Sequence, residues 1–429
     1  MKKEYRIILY TSIFLLCVVA SIILVVKKSN SVYEEESKPK VVKHKSMLSM
    51  NLEQTAGSGD YKTVTQSSWP TEGYKFNAEL SKCENGSTLS WDDTKKAVIV
   101  SGNLSDKCYV YFDIYQPTLA EYIKSQYTGT QGENNIYYHD SDLANGAGDN
   151  SYRYAGANPN NFVCFGTTES PCPTDNLYRI IGVFGENYHG VTGKQLVKLI
   201  KYDYMTTDEL GTDGDYSQTY KEWGMDSTYK GTYGDGERIG VYYWNYKATG
   251  SATNTWSTSL LNKTNLNTNF INNIGTTWAN KIATVTWKVG GNTWANIGTK
   301  TSSVAYTNEI TNPVTTNTTD NATTYSAKIG LMYVSDYGFA ASPDAWTLTM
   351  SSYNNTTATN NNWMYMGLYE WTISRFADIS DCAFLVSYDG SVGTDYVSYD
   401  FGVRASFNLE SSVSYVSGDG TQSNPIRIN

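Results

Sequence analysis

Near the end of a chain rich in Asn, Thr, Ser and Tyr, the stretch GLYEWTISR, Gly367 to Arg375, sets a carboxylate, Glu370, and a guanidinium, Arg375, among aromatic and β-branched residues. An acid and a base so placed open two chemistries: proton transfer to a substrate, or an ion pair that supports a fold. Elsewhere the residue types that perform catalysis are sparse. Of the three histidines, His44 lies in a polar stretch, while His139 (in YYHD) and His189 (in NYHG) belong to no H-E-x-x-H or C-x-x-C spacing, so no zinc site is expected. No G-x-S-x-G elbow supports a nucleophilic serine. The turns GTDGD (Gly211 to Asp215), YGDGE (Tyr233 to Glu237) and DSDLANGAGDN (Asp140 to Asn150) offer oxygens suited to calcium, but none has the spacing of a calcium loop, and Asp and Gly are what turns need. No convincing catalytic constellation emerges, and the expectation is a protein that is not an enzyme and holds neither metal nor cofactor.

The elements that must position these groups follow from composition. The 429 residues, 40% apolar, exceed one average domain and suffice for a substantial core. The charged fraction of 17% is low and tyrosine alone fills 36 positions, so phenols and uncharged polar groups must cover much of the surface. The formal net charge is -9, and the first 28 residues carry five bases against one acid, which leaves the remainder more acidic still. Such a surface repels phosphate backbones, and nucleic acid is excluded as a partner.

Residues 7 to 26, IILYTSIFLLCVVASIILVV, run 20 positions without a charge, which as a helix matches the hydrocarbon core of a bilayer. An uncleaved membrane anchor with the body outside the cytoplasm is expected, since the apolar run is too long for a signal peptide. Cysteine usage agrees: Cys83 with Cys108, and Cys164 with Cys172, are spaced to close short loops in an oxidising compartment, whereas Cys382 in DCAFLV reads as a buried small hydrophobe. Proximity alone suggests this pairing, because four cysteines allow three connectivities.

Five segments are expected: an anchor at 1–28, a polar stalk at 29–60, a small β-sandwich-like module at 61–115, a connecting helix and linker at 116–134, and a head domain at 135–429. The module shows strand patterns in YKFNAEL, STLSW, AVIVSG and CYVYFDI between turn signals. In QPTLAEYIKSQY, Pro117 suits a first helical turn, and Leu119, Tyr122, Ile123 and Tyr127 share a face. In the head, LYRIIGVFG and QLVKLIKYDYM alternate as a β-hairpin, while Leu266, Phe270, Ile271, Ile274 and Trp278 recur at helical spacing. The Thr/Asn-rich run from Thr299 to Thr324 reads as an exposed loop.

YEWTISR at 369–375, followed by GVRASFNL at 402–409, resembles the elements that close formylglycine-generating-enzyme-like (sulfatase-modifying-factor) domains, which have a C-type-lectin-like fold. The ordered series LYRIIGVFG, TWSTSLLNKTNLNTNFI, IGLMYVSDYGF, YEWTISR, GVRASFNL and SYVSGDGTQSNPIRI is similar to a domain of exported Gram-positive bacterial proteins whose usual ending is G-V-R-P-x-x-N-L; here Ala405 replaces the proline. The resemblance implies that the head is C-type-lectin-like; with the residue patterns above, the expected class is α+β, this head preceded by a small all-β module and one N-terminal transmembrane helix. It also implies that Trp371 and Arg404 are structural, with Glu370 the natural partner of Arg404. The catalytic branch of that family uses two redox cysteines, and Cys382 has no partner in the C-terminal part.

In that fold, ligands bind on the irregular loops between the closing motifs, here Arg375, Phe376, Tyr388, Tyr396 and Tyr399, with Trp363 and Tyr365 as secondary candidates. Tyrosines among Ser and Gly suit recognition, since rigid amphipathic rings give contact area and small polar groups adapt. The expected function is a membrane-anchored, single-pass surface protein with its bulk extracellular, binding or displaying a glycan or protein ligand. The alternatives are a degenerate formylglycine-generating-type enzyme and a purely structural envelope protein.

Overall fold

Alternation of apolar and polar residues organises the first part of the chain. The computed structural model describes residues 48–65, 68–70, 73–103, 105–217, 229–232, 239–247, 252–314 and 322–429, and the chain divides into the units Met1–Tyr115 and Gln116–Asn429. In the first unit the strand Leu48–Glu53 runs parallel to Cys108–Ile114 and antiparallel to Tyr61–Val64, with Tyr74–Phe76 on the other side of Cys108–Ile114. Met50 and Leu52 meet Val110 and Phe112 in a core of alternate residues, against which the hairpin of Thr88–Asp92 and Ala97–Ser101 lays Trp91, 5.6 Å from the Phe112 ring. This corrects the expected stalk over residues 48–60, which belong to the β module because LSMNLE carries a two-residue period inside an otherwise polar stretch; the rest of the expected stalk, 29–47, lies outside the described residues.

The second unit is built on a seven-stranded sheet in the order Ile329–Gly330, Ser406–Asn408, Leu196–Lys201, Leu177–Phe184, Ser151–Tyr154, Ile136–His139, with Phe162–Cys164 also paired to Leu177–Phe184. The hairpin expected from LYRIIGVFG and QLVKLIKYDYM is present, with Tyr178 opposite Lys201 and Phe184 opposite Leu196. Its register shifts between Ile180 and Gly182, where a Cβ on Gly182 would meet the Tyr152 carbonyl at 2.2 Å; only glycine lets the strands approach so closely. A second sheet joins Gly291–Asn292, Glu370–Phe376, Cys382–Val386 and Val392–Tyr396.

The helix at Leu119–Ser125 starts at a capping box, Thr118 accepting from the Glu121 amide while Glu121 accepts from the Thr118 amide. Pro117 therefore stands before the cap rather than in the first turn. Leu119 and Ile123 are buried in the core of the second unit and Tyr122 stacks on Tyr415 at 3.7 Å, so 116–134 does not act as a linker. The helical spacing around Leu266 corresponds to a π-helical run, Leu261–Phe270, followed by the short helices Ile271–Asn273 and Gly275–Ala279. Within the Thr/Asn-rich run, the helix Ser302–Tyr306 and the π-helical turn Thr307–Thr311 bury Ala305, Tyr306, Glu309 and Ile310, so that part is core and not an exposed loop.

The expected fold class is overturned. Among the described residues the chain is mixed and strand-rich with 21% helix, its short helices interleaved with the strands of several sheets. No helix among the described residues is long and apolar enough to cross a membrane, and residues 7–26, which carried the transmembrane expectation, lie outside them.

Candidate functional site

Every residue of the strand Glu370–Phe376 is buried, because the strand is central in its sheet and covered on both faces. Backbone bonds tie it to the second motif: Gly402 donates to the Tyr369 carbonyl and Trp371 to that of Gly402, at 3.0 and 3.1 Å. There Arg404 donates from Nε and Nη2 to the two oxygens of Glu370, both at 2.8 Å, and from Nη2 to the Met364 carbonyl at 2.6 Å. Burial opposes charge on Arg404, but the Glu370 carboxylate overrides it and holds the guanidinium above its ordinary range. Trp371 donates its indole N–H to the Tyr242 carbonyl at 2.9 Å. Glu370, Trp371 and Arg404 are thus joined to one another's surroundings by bonds that leave no face for a substrate.

Four of the seven expected contact residues are placed in the interior. Arg375 and Phe376 are 2% and 7% exposed, on the same doubly covered strand. Burial pushes the Arg375 guanidinium down, and Phe376 packs edge-on against Phe384. Trp363 is buried with its N–H on the Tyr154 carbonyl and Arg179 over its ring, and buried Tyr365 points its hydroxyl to the Tyr388 carbonyl. These four are corrected from ligand contacts to internal supports.

Tyr388, Tyr396 and Tyr399 are the opposite case, 46%, 45% and 47% exposed. The hairpin of Cys382–Val386 and Val392–Tyr396 presents them. Its turn is closed by Ser387 donating to Ser391 and Gly390 donating to Ser387, with Asp389 accepting from the amide and hydroxyl of Ser391. From beneath, Tyr365 donates to the Tyr388 carbonyl at 2.5 Å and Tyr337 to the Gly390 carbonyl at 2.7 Å. A second turn, in which Tyr399 donates to the Tyr396 carbonyl at 2.8 Å, carries the other two rings.

Ring contacts connect the two turns. Tyr388 meets Tyr369 at 5.3 Å, Tyr369 stacks on Phe401 at 5.0 Å, Phe401 meets Tyr399 at 6.5 Å, and Tyr399 meets Tyr396 at 5.7 Å. Tyr369 was missed by sequence reasoning; its place one residue before the buried Glu370, with the opposite side-chain direction, was the available signal. Also missed was Tyr246, exposed and stacked on Tyr243, which lies beside the second turn because Tyr243 pairs with Asp400 and Asn245 donates to the Val397 carbonyl. Two carboxylates flank Tyr369. Partial burial opposes charge on Asp389, but hydrogen bonds from Ser391 hold it below the usual carboxylate range, whereas burial pushes Asp395 up.

Other chemistry-bearing groups are internal. Lys198 donates to Asp336 at 2.6 Å, Arg153 to Asp149 at 2.8 Å, and Tyr188 bridges Lys198 and Asp336, with all of these side chains buried or nearly so. Glu309 accepts from the amides of Val334 and Ser335 and from the Ser374 hydroxyl. His139 accepts from the Ala147 amide through Nδ1, and burial, aided by Arg153, lowers its pKa well below the ordinary value. His189 likewise accepts from a backbone amide, that of Val191, through Nδ1, and its Nε2 meets the Phe184 carbonyl. Asp140 caps its own turn, and Asp215 accepts from the Leu261 and Tyr246 amides. Among the described residues, no group of three or more His, Cys, Asp and Glu is arranged to hold a metal ion.

Cys83–Cys108 and Cys164–Cys172 are disulfides, which fits an extracellular chain. Cys382 is free and buried, its thiol pushed up to about 11 by burial and by the nearby Asp381 and Asp395. A thiol so raised is almost wholly protonated at neutral pH and a poor nucleophile. No family model matches the chain, and neither a curated protein nor a solved structure matches it.

Proposed function

We propose that this chain is an extracellular recognition protein whose second unit binds a glycan through the tyrosine face, without catalysis. The observation that carries the reading is the unbroken run of ring contacts from Tyr388 to Tyr396, set on turns that buried tyrosines pin from below. Phenol rings offer flat apolar surfaces to the C–H faces of pyranose rings, and Asp389 and Asp395 beside them accept hydrogen bonds from sugar hydroxyls. Fixing the rings in advance lowers the ordering cost of association. The non-catalytic part of the reading is supported by Glu370 and Arg404, which are committed to each other, and by the buried, protonated Cys382. The likeness of YEWTISR and GVRASFNL to formylglycine-generating-enzyme-like proteins then concerns how the strands close, not a shared reaction.

The test is a glycan array probed with the full chain and with a Tyr388→Ala, Tyr396→Ala, Tyr399→Ala variant. The expected result is retention of particular glycans by the parent and their loss from the variant, with the same far-ultraviolet circular dichroism. Equal retention by both proteins would remove the face from consideration.

A further inference from the structure

The first unit contains a cleft of about 390 Å³ that the tyrosine face does not explain. Its volume falls in the range of small-ligand sites. The walls are aromatic: Tyr74 and Phe76 from the edge strand, Trp91 from the facing hairpin, and Tyr115. Each of these rings is only half-buried, so the unit leaves apolar surface in contact with water inside a concave space. Trp91 is held in one orientation by its indole N–H, which donates to Asp93 at 2.9 Å.

The rim is cationic, although the chain as a whole carries -9. Lys75 sits over the Tyr115 ring, its ammonium 5.2 Å from the centroid, and makes no ion pair among the described residues. Lys96 stands 3.5 Å from Asp93, so the rim has two ammonium groups for one carboxylate. Lys96 also occupies a left-handed backbone conformation, φ 47°, that a long side chain rarely adopts and that glycine would fill without strain. A strained residue held at a cleft mouth points to a use for its side chain.

We propose that this cleft is a binding site for an acidic saccharide, the aromatic walls taking the C–H face of a uronic-acid ring and Lys75 and Lys96 attracting its carboxylate. A bare phosphate would satisfy the lysines but leave the walls wet, and a neutral sugar would use the walls but leave the rim with one ammonium group more than it has carboxylates. The combination selects a ring that bears a carboxylate. This site is separate from the tyrosine face and does not depend on the reading given to that face.

The experiment is calorimetric titration of the full chain with trigalacturonate, with the neutral maltotriose and inorganic triphosphate in parallel arms. The acidic trisaccharide binds, more weakly as salt rises, and Lys96→Gly and Lys75→Gln each weaken it roughly tenfold, the factor expected for a lost charge-assisted hydrogen bond. Because Lys96→Gly relieves the backbone, its loss of binding is not a loss of folding. The variant lacking Tyr388, Tyr396 and Tyr399 retains full affinity. Absence of binding, equal affinity for maltotriose, tighter binding of triphosphate, or insensitivity to both lysine substitutions overturns the proposal.

Discussion

Arg404 meets Glu370 through two parallel N–H···O bonds of 2.8 Å, across 34 residues of chain and with neither group open to solvent. Removing one partner strands the other. Glu370→Gln keeps the shape and removes the counter-charge, so the second unit is expected to lose about 3–5 kcal/mol of stability. The double variant Glu370→Leu, Arg404→Met recovers much of that loss, because two apolar groups leave no unpaired charge. Urea midpoints of the parent, the single variant and the double variant test both statements, and a loss below about 1 kcal/mol in the single variant contradicts the tight pair.

His139 supplies a pH dependence of defined sign. Its folded pKa lies well below the unfolded value of 6.5 because burial and Arg153 disfavour the cation. The unfolded chain therefore takes up a proton below pH 6.5 that the folded chain refuses, and stability is complete above that value and falls as the pH drops beneath it. The slope approaches about 1.4 kcal/mol per pH unit for one such group. His189, also depressed by burial, adds in the same direction. His139→Asn, which preserves an acceptor for the Ala147 amide, is expected to flatten the profile below neutrality; an unchanged slope in urea titrations at stepped pH refutes the assignment.

Tyr337 and Tyr365 are predicted to act on the tyrosine face without belonging to it. Tyr337→Phe removes the donor to the Gly390 carbonyl and Tyr365→Phe the donor to the Tyr388 carbonyl. Each substitution destabilises the turn by about 1–2 kcal/mol. Amides of Ser387 to Ser391 then exchange faster with deuterium, and glycan dissociation quickens while the exposed rings are unaltered. Protection equal to that of the parent would show that the pins do not hold the turn.

What could be seen in the sequence was local. The hairpin of Leu177–Phe184 and Leu196–Lys201 announced itself by two adjoining β patterns, and the cysteines were close enough in sequence for proximity to suggest their partners. Tyr388, Tyr396 and Tyr399 stood among Ser, Asp and Gly, where turns expose side chains. What could not be seen depended on distant neighbours. Arg375 and Phe376 resemble surface groups until a second layer covers the strand, which erases the inside–outside alternation. Lys198 and Asp336 lie 138 residues apart, and no spacing rule links them. The strand Leu48–Glu53 was hidden because its apolar period is short, just Leu48, Met50 and Leu52 inside a polar stretch.

The position of Ser406–Asn408, inserted between Leu196–Lys201 and Ile329–Gly330, has a consequence for biosynthesis. Until residue 408 has left the ribosome, the largest sheet has a vacant slot, and two strands translated much earlier expose unpaired edges. Such long-range pairing slows folding and leaves partly made intermediates prone to stick to one another. Closure of this sheet therefore waits for residues 406–408, and shielding of the two waiting edges until they arrive is expected to raise the yield of the folded second unit.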